Sequence, residues 1–328
     1  MKRRPKKHLT LQKALLPALV MLAAGPGHAE VPLGGSIQLF TGVLFGGMTE
    51  YVYERGREQD LSRLEWEENF VPFLDLIGEF TIWNIFLRVS VLTAIPIQSG
   101  RMRDYDYMLP DSGARSHYSE HNAMFDKHLE IEPEIGCFFS AGRFSFAPGI
   151  GVLFRSRKWT AADGFVQYPV SGAWSEDTPK QGMAGAIISY EESTWFPTIN
   201  LDTSFWINDR FTLGLTTVWY PYLEVKTIDS HYLRATRFHD EMRGGTGCLA
   251  EVFLVYSPVK KTGHYFMASF GYEGLFPTKG SSGIGAMGYD NGLVWDNAYQ
   301  SKMVSHLFWF SIGIMLYPEE IWPPRPLR

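Results

Sequence analysis

The chain has 328 residues, with 30 Lys+Arg against 35 Asp+Glu and a formal net charge of −5. An acidic balance argues against a nucleic-acid partner and suits cationic ones. Two cysteines, Cys137 and Cys248, are too few for a disulfide scaffold, and no CxxC or close His/Cys cluster supports a metal site.

The opening stretch, MKRRPKKHLTLQK, carries six basic residues and no acid. A short apolar run, ALLPALVMLAAG, follows, and Gly27 and Ala29 frame a cut after Ala29. This is the three-part plan of a secretory signal peptide, with an apolar part too short to span a bilayer. Residues 1–29 are read accordingly. They hold six of the 30 basic residues and none of the acids, so residues 30–328 carry a net charge of −11.

Beyond residue 30 no apolar run approaches the roughly 18–20 residues of a membrane helix. Aromatic residues make up 15% of the chain, and alternation at period two is the dominant pattern. In RFTLGLTTVWY (210–220), Phe211, Leu213, Leu215, Thr217 and Trp219 share one face. In HYFMASFGYE (264–273) and HLFWFSIGIMLY (306–317) one face is again apolar and the other small or polar. Segments of this kind fall at about 34–54, 61–75, 79–97, 126–141, 143–158, 185–206, 210–227, 247–258, 263–276 and 304–317. They are long, and aromatic residues sit near their ends. That is the pattern of a transmembrane barrel, apolar outside and polar inside.

The expected fold is therefore all-β, a ten-stranded antiparallel transmembrane β-barrel over 30–317. Short connections at 76–78, 142, 207–209 and 259–262 alternate with long ones at 98–125, 159–184, 228–246 and 277–303, as periplasmic turns alternate with extracellular loops. Glu251 belongs in the lumen, which turns Cys248 outward. Cys137 on the fourth strand and Cys248 on the eighth are too far apart for a disulfide. The segment 318–328, PEEIWPPRPLR, is a tail, because its prolines forbid a strand.

Two short stretches carry chemistry. In MRDYDYM (102–108), Asp104 and Asp106 have i, i+2 spacing and point to one side of an extended chain. Taken alone they read as a solvated acidic loop. As a couple they repel, so one pKa should rise. In KTIDSHY (226–232), Asp229 and His231 have the same spacing. A carboxylate that holds a His ring fixes its tautomer and raises its basicity. Two acids and an acid-held His can activate a water against a peptide carbonyl without Ser, Cys or metal. His117, His121, His128 and His239 are assigned no comparable partner.

At these stretches the sequence resembles the omptins, ten-stranded outer-membrane proteases of Gram-negative bacteria. The resemblance covers essentially all of 30–317. It is carried by GGMTEYVYERGREQDLSRLEWE (46–67), SGRMRDYDYM (99–108) and IDSHY (228–232). It implies an endopeptidase in the outer membrane, its active site facing outward. Asp104 and Asp106 match the family's aspartate couple, and Asp229 and His231 its aspartate–histidine dyad. Glu50 matches an acid at the base of the pocket for the residue before the cut, usually Arg or Lys, so cationic polypeptides are the implied substrates.

Two departures bear on recognition. The family's second acid, two residues before the dyad aspartate, is here Thr227. An acid for the residue after the cut has its counterpart near Gly113–Ala114 and is missing. The family also requires lipopolysaccharide, and Arg155, Arg157 and Lys158 are the candidates to hold it. Yet Phe144, Phe146, Ile150, Val152 and Phe154 mark the lipid face, and period two then turns Arg155 and Arg157 inward. Another clamp arginine is replaced by Ser193. A same-family adhesin with weakened proteolysis and a plain porin are the competing readings.

Overall fold

The computed structural model describes residues 33–56, 59–109, 113–258, 263–287, 294–296 and 299–317. The signal peptide expected at 1–29 and the tail expected at 318–328 lie outside the described residues. Ten long strands run antiparallel. They are the first (Leu33–Glu54), the second (Asp60–Ile82), the third in two segments (Ile85–Ala94, Ile97–Asp106), the fourth (His117–Cys137) and the fifth (Phe144–Gln167). The sixth is Ala186–Trp206. The seventh (Phe211–Tyr220, Glu224–His231), eighth (Thr236–Arg243, Gly245–Tyr256) and ninth (His264–Pro277, Ser281–Ala286) are each broken once, and the tenth is Tyr299–Leu316. Each pairs with the next, and the first pairs with the tenth along its whole length, from Ile37 opposite Leu316 to Glu54 opposite Tyr299. The sheet is a closed ring of ten strands. No helix of the described residues is long and apolar enough to cross a membrane.

The lower half has the expected pleat. Phe211, Leu213, Leu215 and Trp219 are exposed on the outer face, as are Phe266, Phe270, Phe310, Ile312 and Ile314. An apolar outer belt of this kind suits lipid. Inside, Glu251 accepts a hydrogen bond from Trp309 Nε1 at 3.2 Å, so the lumen does hold it. Cys248 is exposed, and both cysteines are free. The lower lumen encloses a cavity of about 1020 Å³. Arg88 crosses it to Glu79 (3.0 Å), Glu134 (3.2 Å) and Asp202 (2.8 Å).

Several boundaries differ from the expectation. The turn between the second and third strands is at Trp83–Asn84, not 76–78, and Gly78 pairs in mid-strand with Val89 and Ile37. Strands extend into the loop expected at 98–125, up to Asp106 from one side and from His117 on the other, and the loop expected at 228–246 shrinks to one turn, Tyr232–Arg234. The chain stays in strands far above the apolar belt. There both faces meet water or protein, so polar residues occupy both and the two-residue hydrophobic signal disappears.

The upper half also changes phase. Phe73 and Val71 face the lumen, but above them Glu68, Trp66 and Leu64 do. The extra residue is Phe70, 72% exposed at φ 56°. It sits where the register with the first strand slips between Leu44 and Gly46, a β-bulge. The seventh strand shifts at Pro221–Leu223, from Val218 and Tyr220 inward to Val225, Thr227 and Asp229 inward. The eighth shifts at Gly244.

Above the cavity the lumen is packed. Trp66, Trp159, Tyr190, Phe125 and Met102 are buried together, with the Trp66, Trp159 and Tyr190 rings about 6 Å apart. Ion pairs underlie this layer. Arg155 donates to Glu273 through both terminal nitrogens at 2.7 Å and to Glu130 at 2.6 Å, while Arg157 donates to Glu192 at 2.6 Å. His128, assigned no partner from sequence, holds Glu130 at 2.6 Å. Arg155 and Arg157 are therefore luminal, which removes them as lipid ligands. Lys158 points outward, paired with Glu191 at 2.7 Å.

Removing one member of a buried ion cluster strands the other charges, at about 3–5 kcal/mol. Arg155→Ala is expected to lower stability by that amount in urea unfolding of the detergent-solubilised barrel. Lys158→Ala should lose less than about 1 kcal/mol, since exposed pairs are screened.

Candidate active site

The packed aromatic layer forms the floor of a cleft at the upper mouth. Asp104 and Asp106 stand at the end of the third strand, with Asp104 opposite Leu64 and Ser119 and Asp106 opposite Ser62 and His117. Ser62 Oγ donates to Asp104 Oδ1 at 3.3 Å. Asp106 is buried, and His117 Nδ1 lies 4.0 Å from its Oδ2. Ser116 Oγ donates to the Asp106 carbonyl at 3.0 Å, tying down the strand end.

Asp229 and His231 end the seventh strand. Asp229 Oδ2 lies 2.7 Å from His231 Nε2, and the imidazole packs edge-on against Phe238 at 5.3 Å. Asp229 is buried, and its Oδ1 has no hydrogen-bond partner among the described residues. The two pairs sense each other's charge across the cleft. All four residues named from sequence thus meet in one site.

Their electrostatics follow from crowding. Burial, then the charges of Asp106 and Asp229, push the Asp104 carboxyl up to about 8, against the pull of His231 and Arg234. Burial also raises Asp106, opposed by Arg234 and His117. Burial works against charge on His231, but the Asp229 carboxylate, its hydrogen bond and Asp104 outweigh it and hold the imidazole above its ordinary value. The cleft keeps a proton on Asp104 near neutrality and presents a basic imidazole with fixed orientation. That combination can take a proton from water and return it to a leaving group.

Three contributors escaped the sequence reading. Arg234, on the turn after His231, lies close to Tyr168, and its charge acts on both aspartates. The Tyr168 ring meets His117 edge-on at 4.7 Å. Beneath the dyad lies Asp240, opposite Thr227 on the eighth strand, its Oδ2 accepting a hydrogen bond from Thr227 Oγ1 at 3.2 Å. Glu50 is beside it, its Oε1 accepting from Tyr190 at 3.2 Å. No motif marks Asp240. Strict alternation from Val252, Leu254 and the other outward residues of its strand turns it outside, and the break at Gly244 brings it in.

A closed ten-stranded barrel with a carboxylate–imidazole cleft at one mouth defines the class. The sequence pattern of the Omptin family matches residues 32–309, so the chain belongs to the omptin family. It is similar to a plasminogen activator of Yersinia pestis, 26% identical over 211 residues. That similarity takes in 62% of this chain and spans 65% of the relative's length. Its fold is that of the outer membrane protease OmpT from Escherichia coli, with a TM-score of 0.78 at 16% identity, over 89% of this chain and 99% of that one.

A carboxyl with a folded-state pKa near 8 contributes its full share of stability only below its unfolded value, about 4. The share is lost as pH rises through the folded value. Asp104→Asn cannot ionise. It is expected to melt above the wild type, with an advantage that grows from pH 5 to pH 9 in thermal unfolding in detergent.

Proposed function

We propose that this chain is an outer-membrane endopeptidase that cleaves polypeptides at the cell surface after a basic residue. The observation that carries the reading is the Asp229–His231 hydrogen bond facing the Asp104–Asp106 couple across a cleft. A water between the two sides gives its proton to His231 as its oxygen attacks the scissile carbonyl. Asp229 fixes the ring and stabilises the imidazolium. Asp104 and Asp106 position and polarise the water, with one shared proton limiting their repulsion. His231 then returns the proton to the departing amine as the carbon–nitrogen bond breaks. Glu50, buried below the dyad, offers a carboxylate to a cationic side chain, since a charge-assisted pair in a dry pocket is strong.

The packed layer across the lumen argues against a porin. An adhesin with weak proteolysis is favoured by the lost recognition acids at Thr227 and near Gly113–Ala114, but it gives the four residues of the cleft no use. A lipopolysaccharide requirement would have to rest on outward groups such as Lys158.

Refolded protein, with and without lipopolysaccharide, is expected to cut Arg-containing peptides. Asp104→Ala and His231→Ala should each lower kcat/KM by at least about a hundredfold. Absence of cleavage in both lipid conditions, with binding of host proteins intact, overturns the reading.

The base must be unprotonated to act, and His231 is held above its usual value of about 6.5. Activity should therefore fall on the acid side with a midpoint above about pH 6.5. Asp229→Asn should move that midpoint down and cut kcat by about a hundred- to ten-thousandfold.

A further inference from the structure

The upper barrel settles its buried acids with arginine in most places. Glu130 and Glu273 share Arg155, and Glu192 takes Arg157. Glu50 and Asp240 have neither an arginine nor a histidine in that role among the described residues, though they are 2% and 3% exposed. Their neighbours are each other, carboxyl to carboxyl, the Asp229 carboxylate, and hydroxyls from Tyr190, Thr227, Ser282 and Ser301. Asp240 Oδ1 and Ser301 Oγ are buried without a hydrogen-bond partner among those residues. Burying two carboxyls without a counter-ion is unfavourable unless a ligand brings the charge.

Resting on the endopeptidase reading, we propose that Asp240 is the second acid of the pocket for the residue before the cut. It is supplied by the eighth strand in place of an acid at position 227. Thr227 and Asp240 are Cα partners across adjacent strands, and the hydroxyl donates to the carboxylate at 3.2 Å. Thr227 thus positions an acid on the neighbouring strand rather than carrying one itself. Glu50 from the first strand and Asp240 from the eighth offer carboxyl oxygens from two directions. A planar guanidinium can bridge two such acids, whereas an ammonium is a point charge with less directional reach. The ligand class is therefore a guanidinium side chain ahead of lysine, and the chain retains two-acid recognition despite Thr227.

The test uses three peptides that differ only before the cut: Arg, Lys and citrulline, the neutral isostere of Arg. Asp240→Asn is expected to raise KM for the Arg peptide about ten- to a hundredfold, the range for a lost hydrogen bond to a charged group. The citrulline peptide should change little. The relocated variant, Asp240→Thr with Thr227→Asp, should recover most of the loss, which a merely structural role for Asp240 would not allow. Binding of agmatine, a free guanidinium, to the Asp104→Asn barrel gives a readout without cleavage, and adding Asp240→Asn should abolish it. Unchanged KM for the Arg peptide in Asp240→Asn overturns the proposal. If Asp240→Asn fails to form the heat-resistant barrel, the relocated variant decides, and its failure to discriminate Arg from citrulline overturns it. Agmatine binding that needs Asp240, in a protein that cuts no peptide, sustains the pocket and sinks the endopeptidase reading instead.

Discussion

In hydrocarbon every backbone N–H and C=O must find its partner within the protein. Pairing of the first strand with the tenth, from Ile37–Leu316 up to Glu54–Tyr299, leaves neither strand an open edge. The rest of the molecule depends on that closure. A closed ring has an inside, and ten strands make it wide enough to hold side chains in layers. Polar groups forced inward by the pleat must then satisfy each other. Arg88 does this low in the lumen, and Arg155 and Arg157 do it beneath the aromatic layer. The luminal charges therefore follow from an outside that belongs to lipid.

The cleft inherits its rigidity from the same source. Asp104, Asp106, Asp229 and His231 end paired strands, each held by neighbours on both sides, and the connecting segment after His231 is a single turn. Groups held this way keep their spacing at the expense of electrostatic comfort. That is why Asp104 titrates far above an ordinary aspartate while Asp229 and His231 sit 2.7 Å apart. One carboxylate holds an imidazole, and burial raises the two others.

Much of the fold was legible. Alternation identified the ten strands, and the outward set in the belt agreed with the structure at Phe211, Leu213, Leu215 and Phe310. The inward turn of Arg155 and Arg157 followed from the same period. The four cleft residues were legible because each pair lies within three positions and needs no long-range information. Strand ends above the belt were not legible, because polar residues there occupy both faces. Gly78 read as a turn and is mid-strand, while the true turn at Trp83–Asn84 carries no glycine or proline.

What the sequence determined by itself was the period, and with it the ring and the chemistry of the paired residues. What only the tertiary structure decided was phase. Alternation carried upward from Leu213 and Leu215 would send Asp229 and His231 outside the barrel, and carried upward from Val252 it would send Asp240 outside as well. The breaks at Pro221–Leu223 and Gly244 reverse both, so that a dyad and its neighbouring acid face one cleft. A bulge inserts one residue and exchanges the faces of everything beyond it. Where it falls depends on the register that the neighbouring strands impose, which short-range periodicity does not contain.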